Sequence, residues 1–360
     1  MAFFAPCKPV PWLALATFLA AASATVQAQW ELQDSHTNAS LRGIHSVSEG
    51  IAWASGRNGT VLRTEDGGKL WQTCAVPPGG EALDFRGIQA FDANSAIVMS
   101  SGKGDLSRLY KTTDGCRSWT LLLANPDPNG FWDAIRAADF FLIVILGDPV
   151  DGAFQIRKTT DGGETWTLER SQPTWTDETA SAASNSSLSV NWVDGPTIFG
   201  TSSIGGARLF REECSPCRKQ MEKWAAVQIS GFAWSPFAGI SSIHQSSWDH
   251  FVAVGGDYEE PAAAERNAVW SNDGGRRWHP AQSPPHGYRS AVDYDAPSKV
   301  WITVGPNGSD ISVDDGRNWR PLKPGPGDPP DADQNWNALS LPFAVGPNGR
   351  IGKLKNPDKL

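Results

Sequence analysis

Two cysteines stand three residues apart in EECSPCRKQMEKW, residues 212–224. A C-x-x-C pair can exchange disulfides, hold half a metal site, or close a local bridge. Redox exchange needs a low-pKa thiolate, usually at a helix N-terminus. A zinc site needs further ligands, and the six histidines are scattered with no H-E-x-x-H. Calcium finds only an echo. NPDPNGFWD puts Asn125, Asp127, Asn129, Gly130 and Asp133 at calcium-loop places, but Arg136 stands where a bidentate Glu is needed. Nucleotide chemistry finds less: no G-x-G-x-x-G follows a strand, there is no Walker A, and SSGKGDLS has the wrong spacing. No cofactor and no metal is expected.

The elements that must position any site come from a repeat. TEDGGKLW, TTDGCRSW, TTDGGETW, SNDGGRRW and SVDDGRNW follow S/T-x-D-x-G-x-x-W, with the Asp at 66, 114, 161, 273 and 314. Asp and Gly make a tight turn, Gly supplies positive φ, and the Trp opens the next strand and packs over the turn. Asp66, Asp114, Asp161, Asp273 and Asp314 are therefore read as structural. Each box follows three strand-like runs, as in LRGIHSV, IAWASG and TVLR. Four-stranded units recurring every ~40–50 residues are β-propeller blades. The gap from Asp161 to Asp273 is double the usual one, so one blade there has lost its box. The count is then seven. The last unit ends without an outer strand, and QWELQ at the mature N-terminus supplies it, with Trp30 in the box-Trp place. Such a seal leaves no open edge. The fold class is all-β: a seven-bladed propeller of four-stranded antiparallel blades, closed by the N-terminal strand.

The boxes and blade pattern resemble the Asp-box (BNR) propellers, and most of all the photosystem II stability and assembly factor family. LRGIHSVSEGIAWASGRNGTVLRTEDGGKLW and VGPNGSDISVDDGRNW carry that likeness. It implies a chaperone or scaffold without catalysis, though not a photosynthetic role for this chain. Asp-box propellers also include sialidases, which grip a carboxylate with three Arg and use a Tyr–Glu nucleophile pair with an Asp acid. Against that rival reading, no R-I-P segment occurs. Tyr258, Tyr288 and Tyr294 are the only nucleophile candidates near the loops, and Glu178, Glu259 and Glu260 have no motif around them.

Numbering each blade's strands A to D from the axis outward, A–B turns and boxes share one face. D–A and B–C loops share the other, and long insertions fall there: 124–130, 147–153, 170–187, 255–267 and 323–335. Loops on a rigid scaffold usually hold the function. The start of each A strand also faces that side, with variable residues Arg42, Arg86, Asp133, Ala238, Arg289 and Asn337; blade four does not align. Arg289, Asn337, Arg42, Arg86 and Asp133 are expected as an arc around the channel mouth, with Asp148, Asp257 and Tyr258 on neighbouring loops. Three Arg aimed at one cavity suit a carboxylate or other anion. The alternative is that each Arg pairs with a neighbouring Asp or carbonyl.

The N-terminus reads as a secretory signal, 1–28. Lys8 precedes the apolar run WLALATFLAAASATV, and Val26-Gln27-Ala28 is a cleavage-site pattern. The run is short of the ~20 residues that span a bilayer. Residues 29–360 then form a single propeller domain, exported to periplasm or extracellular space, or to the thylakoid lumen if the source is photosynthetic. Net charge is -8 with no basic run, which argues against nucleic acid. The expected partner is another protein or an anionic small ligand, and the expected state is a monomer. Cys7 leaves with the signal. Cys74, Cys116, Cys214 and Cys217 remain, an even count that favours disulfides in an exported chain. Three connectivities are open. A local Cys214–Cys217 bridge is the first expectation, and Cys74–Cys116 then follows by elimination. The C-x-x-C stands where blade four's box is missing, so it is read as a staple closing the same turn.

Overall fold

The computed structural model describes residues 30–190, 196–213, 224–230, 232, 235–325 and 328–355. The signal segment and the Cys214–Cys217 pair lie outside them. Blade 1 is Leu41–Ser46, Ala52–Gly56, Val61–Thr64 and Gln72–Thr73, all antiparallel. Blades 2, 3 and 6 repeat it, with A strands at Phe85–Ala90, Trp132–Ala137 and Ala291–Asp295. Blades 4 and 5 are joined in one sheet by the bridge Ser202↔Gly239, and blade 5 starts at Ala238–Gln245. Blade 7 runs Ala338–Ser340, Phe343–Val345 and Ile351–Leu354, and its fourth strand is Trp30–Gln33. The N-terminal seal is thus present, with Trp30 paired to Leu354. Trp30 is 2% exposed, packs 5.4 Å from Trp336, and donates from Nε1 to Ser309 Oγ at 3.2 Å.

Two sequence expectations change. GDPVDGA is a hairpin tip rather than a loop: Ile143–Val150 and Ala153–Thr159 pair right up to Asp151-Gly152, both at positive φ. The 170–187 insertion is partly the missing A strand of blade 4. Thr179–Ala180 and Leu188–Ser189 both pair with Ile198–Ser202, and the small polar run between them bows out of the ladder. Small side chains cannot hold a packed strand face, so the periodic signal vanished there.

Each box closes through the same side-chain bonds. In blade 1, Thr64 Oγ1 donates to Asp66 Oδ1 at 2.9 Å and accepts from the Gly68 N–H at 2.9 Å, while Asp66 Oδ1 accepts from the Leu70 N–H at 3.0 Å. Thr112–Asp114, Thr159–Asp161, Ser271–Asp273 and Ser312–Asp314 repeat it. Bonds from Ser118 hold Asp114 down to about 2, and a bond from Thr159 lowers Asp161 further. The aspartates are acceptors for their own turns. In blade 2 Cys116 takes the second glycine's place, at φ 60, and bonds Cys74 with Cα atoms 5.3 Å apart. That disulfide staples the outer edge of blade 1 to the box of blade 2. Trp224 opens the outer strand of blade 4, Trp224–Gln228, as the box Trp residues do elsewhere, buried 5.3 Å from Phe199.

The core lies between blades. Trp71 and Leu62 of blade 1 pack with Phe343 and Ile351 of blade 7. Burying one such aromatic contributes roughly 2–3 kcal/mol. The A strands still expose an unpaired edge to the channel, and each interface satisfies it by reaching across. His45 Nδ1 accepts from Ala90 N–H (3.0 Å), Gln89 from Ala137 (3.1 Å), Ser242 from Val292 (2.9 Å), Asp293 from Leu341 (2.8 Å) and Ser340 from Ser46 (3.0 Å). Arg136 Nε donates to Leu188 O (3.2 Å), and Ile243 N–H to Ser186 O (2.7 Å). These are seven bonded interfaces, which close the ring.

Candidate anion-binding pocket on the loop face

The starts of the A strands surround a cavity of about 520 Å³ on the D–A and B–C loop face. Arg42 and Arg86 form one pole. Arg86 Nε donates to Asp84 Oδ2 at 2.9 Å, and Arg57 approaches the same oxygen at 3.8 Å. Arg42 has no ion pair among the described residues, and its Nε is buried without a hydrogen-bond partner. Burial lowers its pKa, Asp84 opposes this, and Arg86 and Arg57 add to it. Three guanidinium charges thus face one carboxylate. Blade 5 stands across the ring and supplies an aromatic pole. Phe237 and Tyr258 meet edge to face at 5.5 Å, both well exposed. Tyr288, Trp336 and Ser241 complete the wall, and Thr179–Ala183 cross one side.

The predicted arc is partly assembled. Arg42, Arg86, Asn337 and Tyr258 line the cavity. Asn337 also donates to Leu41 O at 2.7 Å, so it ties blade 7 to blade 1. Arg289 does not join them. It is fully buried, its Nε donates to Asp310 Oδ2 at 2.8 Å, and Nη1 donates to Asn307 Oδ1 at 2.7 Å. The neighbouring C strand puts a carboxylate beside it, which is the pairing alternative. Asp257 accepts from Glu259 N–H at 2.9 Å and from Ser235, so it caps its own loop. Ala238 is buried at the start of its strand.

Asp133 and Asp148 lie behind the wall. Asp133 is 1% exposed and its Oδ2 has no partner; Asp148 Oδ1 accepts from Ala180 N–H at 3.0 Å. Burial, then the neighbouring Asp148, raises Asp133 well above the carboxylate range, while Arg86 opposes. Burial raises Asp148 to about 6. Two close carboxylates in low dielectric resist double ionisation. The pair therefore neutralises Arg86 only in part.

Two of the candidate catalytic groups, Glu178 and Tyr288, are buried. Glu178 is buried against Arg208 and accepts from Thr201 Oγ1 at 2.7 Å. Burial pushes Tyr288 up to about 12. In the calcium-like loop, Asn125 accepts from Asp127 N–H at 3.1 Å and Asp127 from Asn129 N–H at 3.0 Å, closing its own turns. Among the described residues no three His, Cys, Asp or Glu are placed to hold a metal. The same residues contain no helix long and apolar enough to cross a membrane. Sequence reasoning missed Phe237, although it occupies the aromatic-or-Leu place before Ala238 that Leu41, Phe85 and Trp132 occupy in their blades.

No curated protein matches the sequence. Among solved structures, YCF48 from Cyanidioschyzon merolae is 17% identical with a TM-score of 0.56, over 90% of this chain and 98% of that one. A WD40 propeller domain of Doa1 is 10% identical with a TM-score of 0.56, over 91% and 97%. A structure titled YCF48 bound to D1 peptide is 16% identical with a TM-score of 0.41, over 90% and 96%. The two better superpositions report the propeller fold. Residues 22–191 match the family model of the photosynthesis system II assembly factor YCF48. That match spans a little under half of the chain, and the ring of boxed blades is similar to the BNR-type β-propellers.

Proposed function

We propose that this propeller is an exported, non-enzymatic scaffold that holds an acidic segment of another protein in the loop-face cavity. The carrying observation is Arg42, a guanidinium with no counter-charge of its own, at a cavity whose far wall is aromatic. A carboxylate at Arg42 and Arg86 with an apolar side chain against Phe237 and Tyr258 would use both poles. The match of residues 22–191 to the assembly-factor family model supports an assembly role and a protein partner. The apolar N-terminal run supports export to a periplasm or lumen.

The binding test uses a short acidic, aromatic-containing peptide and its amidated, uncharged twin. The acidic peptide should bind, weaken with added salt, and lose at least about tenfold in affinity to R42Q/R86Q. Equal binding of the two peptides, or an unaffected double variant, would move the site elsewhere. The glycosidase reading predicts turnover across a glycoside panel; the commitment of Glu178 to Arg208 argues against it.

A further inference from the structure

The A strands bring a second charged constellation together at the other end of the channel. His45, Arg136, His244 and Asp293 come from blades 1, 3, 5 and 6, each near the A–B turn end of its strand. They share one field. Burial lowers both histidines, Arg136 lowers them further, and Asp293 opposes. Yet solvent reaches them, with His244 and Asp293 side chains 32% and 17% exposed.

The hydrogen-bond inventory leaves donors unspent. Asp293 Oδ1 accepts from Tyr294 N–H at 2.8 Å and faces His244 Nδ1 at 3.3 Å, while Oδ2 accepts from Leu341 N–H at 2.8 Å. Asp293 is therefore committed to the ring. His45 accepts at Nδ1, so its proton sits on Nε2. Arg136 spends only Nε, on Leu188 O, and has no ion pair among the described residues. Its planar fork and the His45 Nε2–H remain.

We infer that the box-face end of the channel binds a small tetrahedral oxyanion of the sulfate or phosphate class, held by the Arg136 fork and His45 Nε2–H, with His244 adding charge on protonation. The pocket at Arg42 lies at the opposite mouth, so this site is independent of the scaffold reading. Acid should favour it. A protonated His244 adds a positive charge where only Asp293 stands against Arg136.

Histidine ring signals of the mature chain, titrated with sulfate against chloride at constant ionic strength, test this. His45 and His244 should shift saturably, and His244 should titrate at higher pH with sulfate present. The exposed rings of His36 and His279 should not respond. R136Q should abolish the response and R42Q preserve it. Should R136Q fail to fold, R136K keeps the charge without the fork and should bind about tenfold more weakly. Unmoved His45 and His244 signals, or a wild-type response in the Arg136 variant, would overturn the site.

Discussion

His45 shows how one side chain is bound to a protonation state. It must accept at Nδ1 to satisfy blade 2, so it must be neutral, and burial holds its pKa down to about 4. The unfolded chain keeps a value near 6.5. Between those values the unfolded state binds more protons, so stability is intact above pH 6.5 and is lost as pH falls toward 4. H45Q, which can accept the same N–H as Gln89 does next door, should flatten that part of a melting-temperature profile. A profile unchanged from wild type would refute the assignment. Asp148 works the other way. Its pKa rises from 3.8 to about 6, so the folded state binds the extra proton and stability falls as pH rises through that window. D148N keeps the acceptor for Ala180. It should raise stability by on the order of 1 kcal/mol at pH 7.5 and leave it unchanged near pH 4. Equal melting temperatures at pH 7.5 would contradict a costly buried pair.

At the scale of elements, the boxes are the most local device and were the most legible. The bonds that close them join residues two to four apart, so type and spacing suffice. Ser312, 1% exposed, donates to Asp314 and accepts from Gly316 N–H at 3.0 Å. S312A should cost about 1–2 kcal/mol in chemical denaturation, and a neutral result would deny the hydroxyl its place in the turn. Blade 4 was illegible for the opposite reason. Its A strand is two short pieces around small polar residues, held by tertiary contacts such as Ile135 N–H to Asn185 Oδ1 at 2.7 Å. GDPVDGA reads as a loop from its Asp, Pro and Gly content, yet pairing across the hairpin overrides that preference. The arginine arc fell between these cases. Strand register put Arg42 and Arg86 at the cavity lining, but the carboxylate that captures Arg289 lies 21 residues away, on the C strand.

The whole molecule is a ring whose first and last described strands meet in one blade. Each blade packs only on its neighbours, so closure is a property of the assembly. Removing residues 29–35 takes away the Trp30–Gln33 strand and should sharply lower the melting temperature; an unchanged value would deny the seal. Closure also shapes the candidate site, because six of the seven blades contribute to the lining of the loop-face cavity. The central claim is that this cavity holds another protein through its two arginines. Co-isolation from the source organism, with the wild-type chain and R42Q/R86Q expressed to equal levels, tests it most directly. One partner should accompany the wild type in stoichiometric amount and be lost from the folded double variant. Equal recovery of that partner with both would contradict the account.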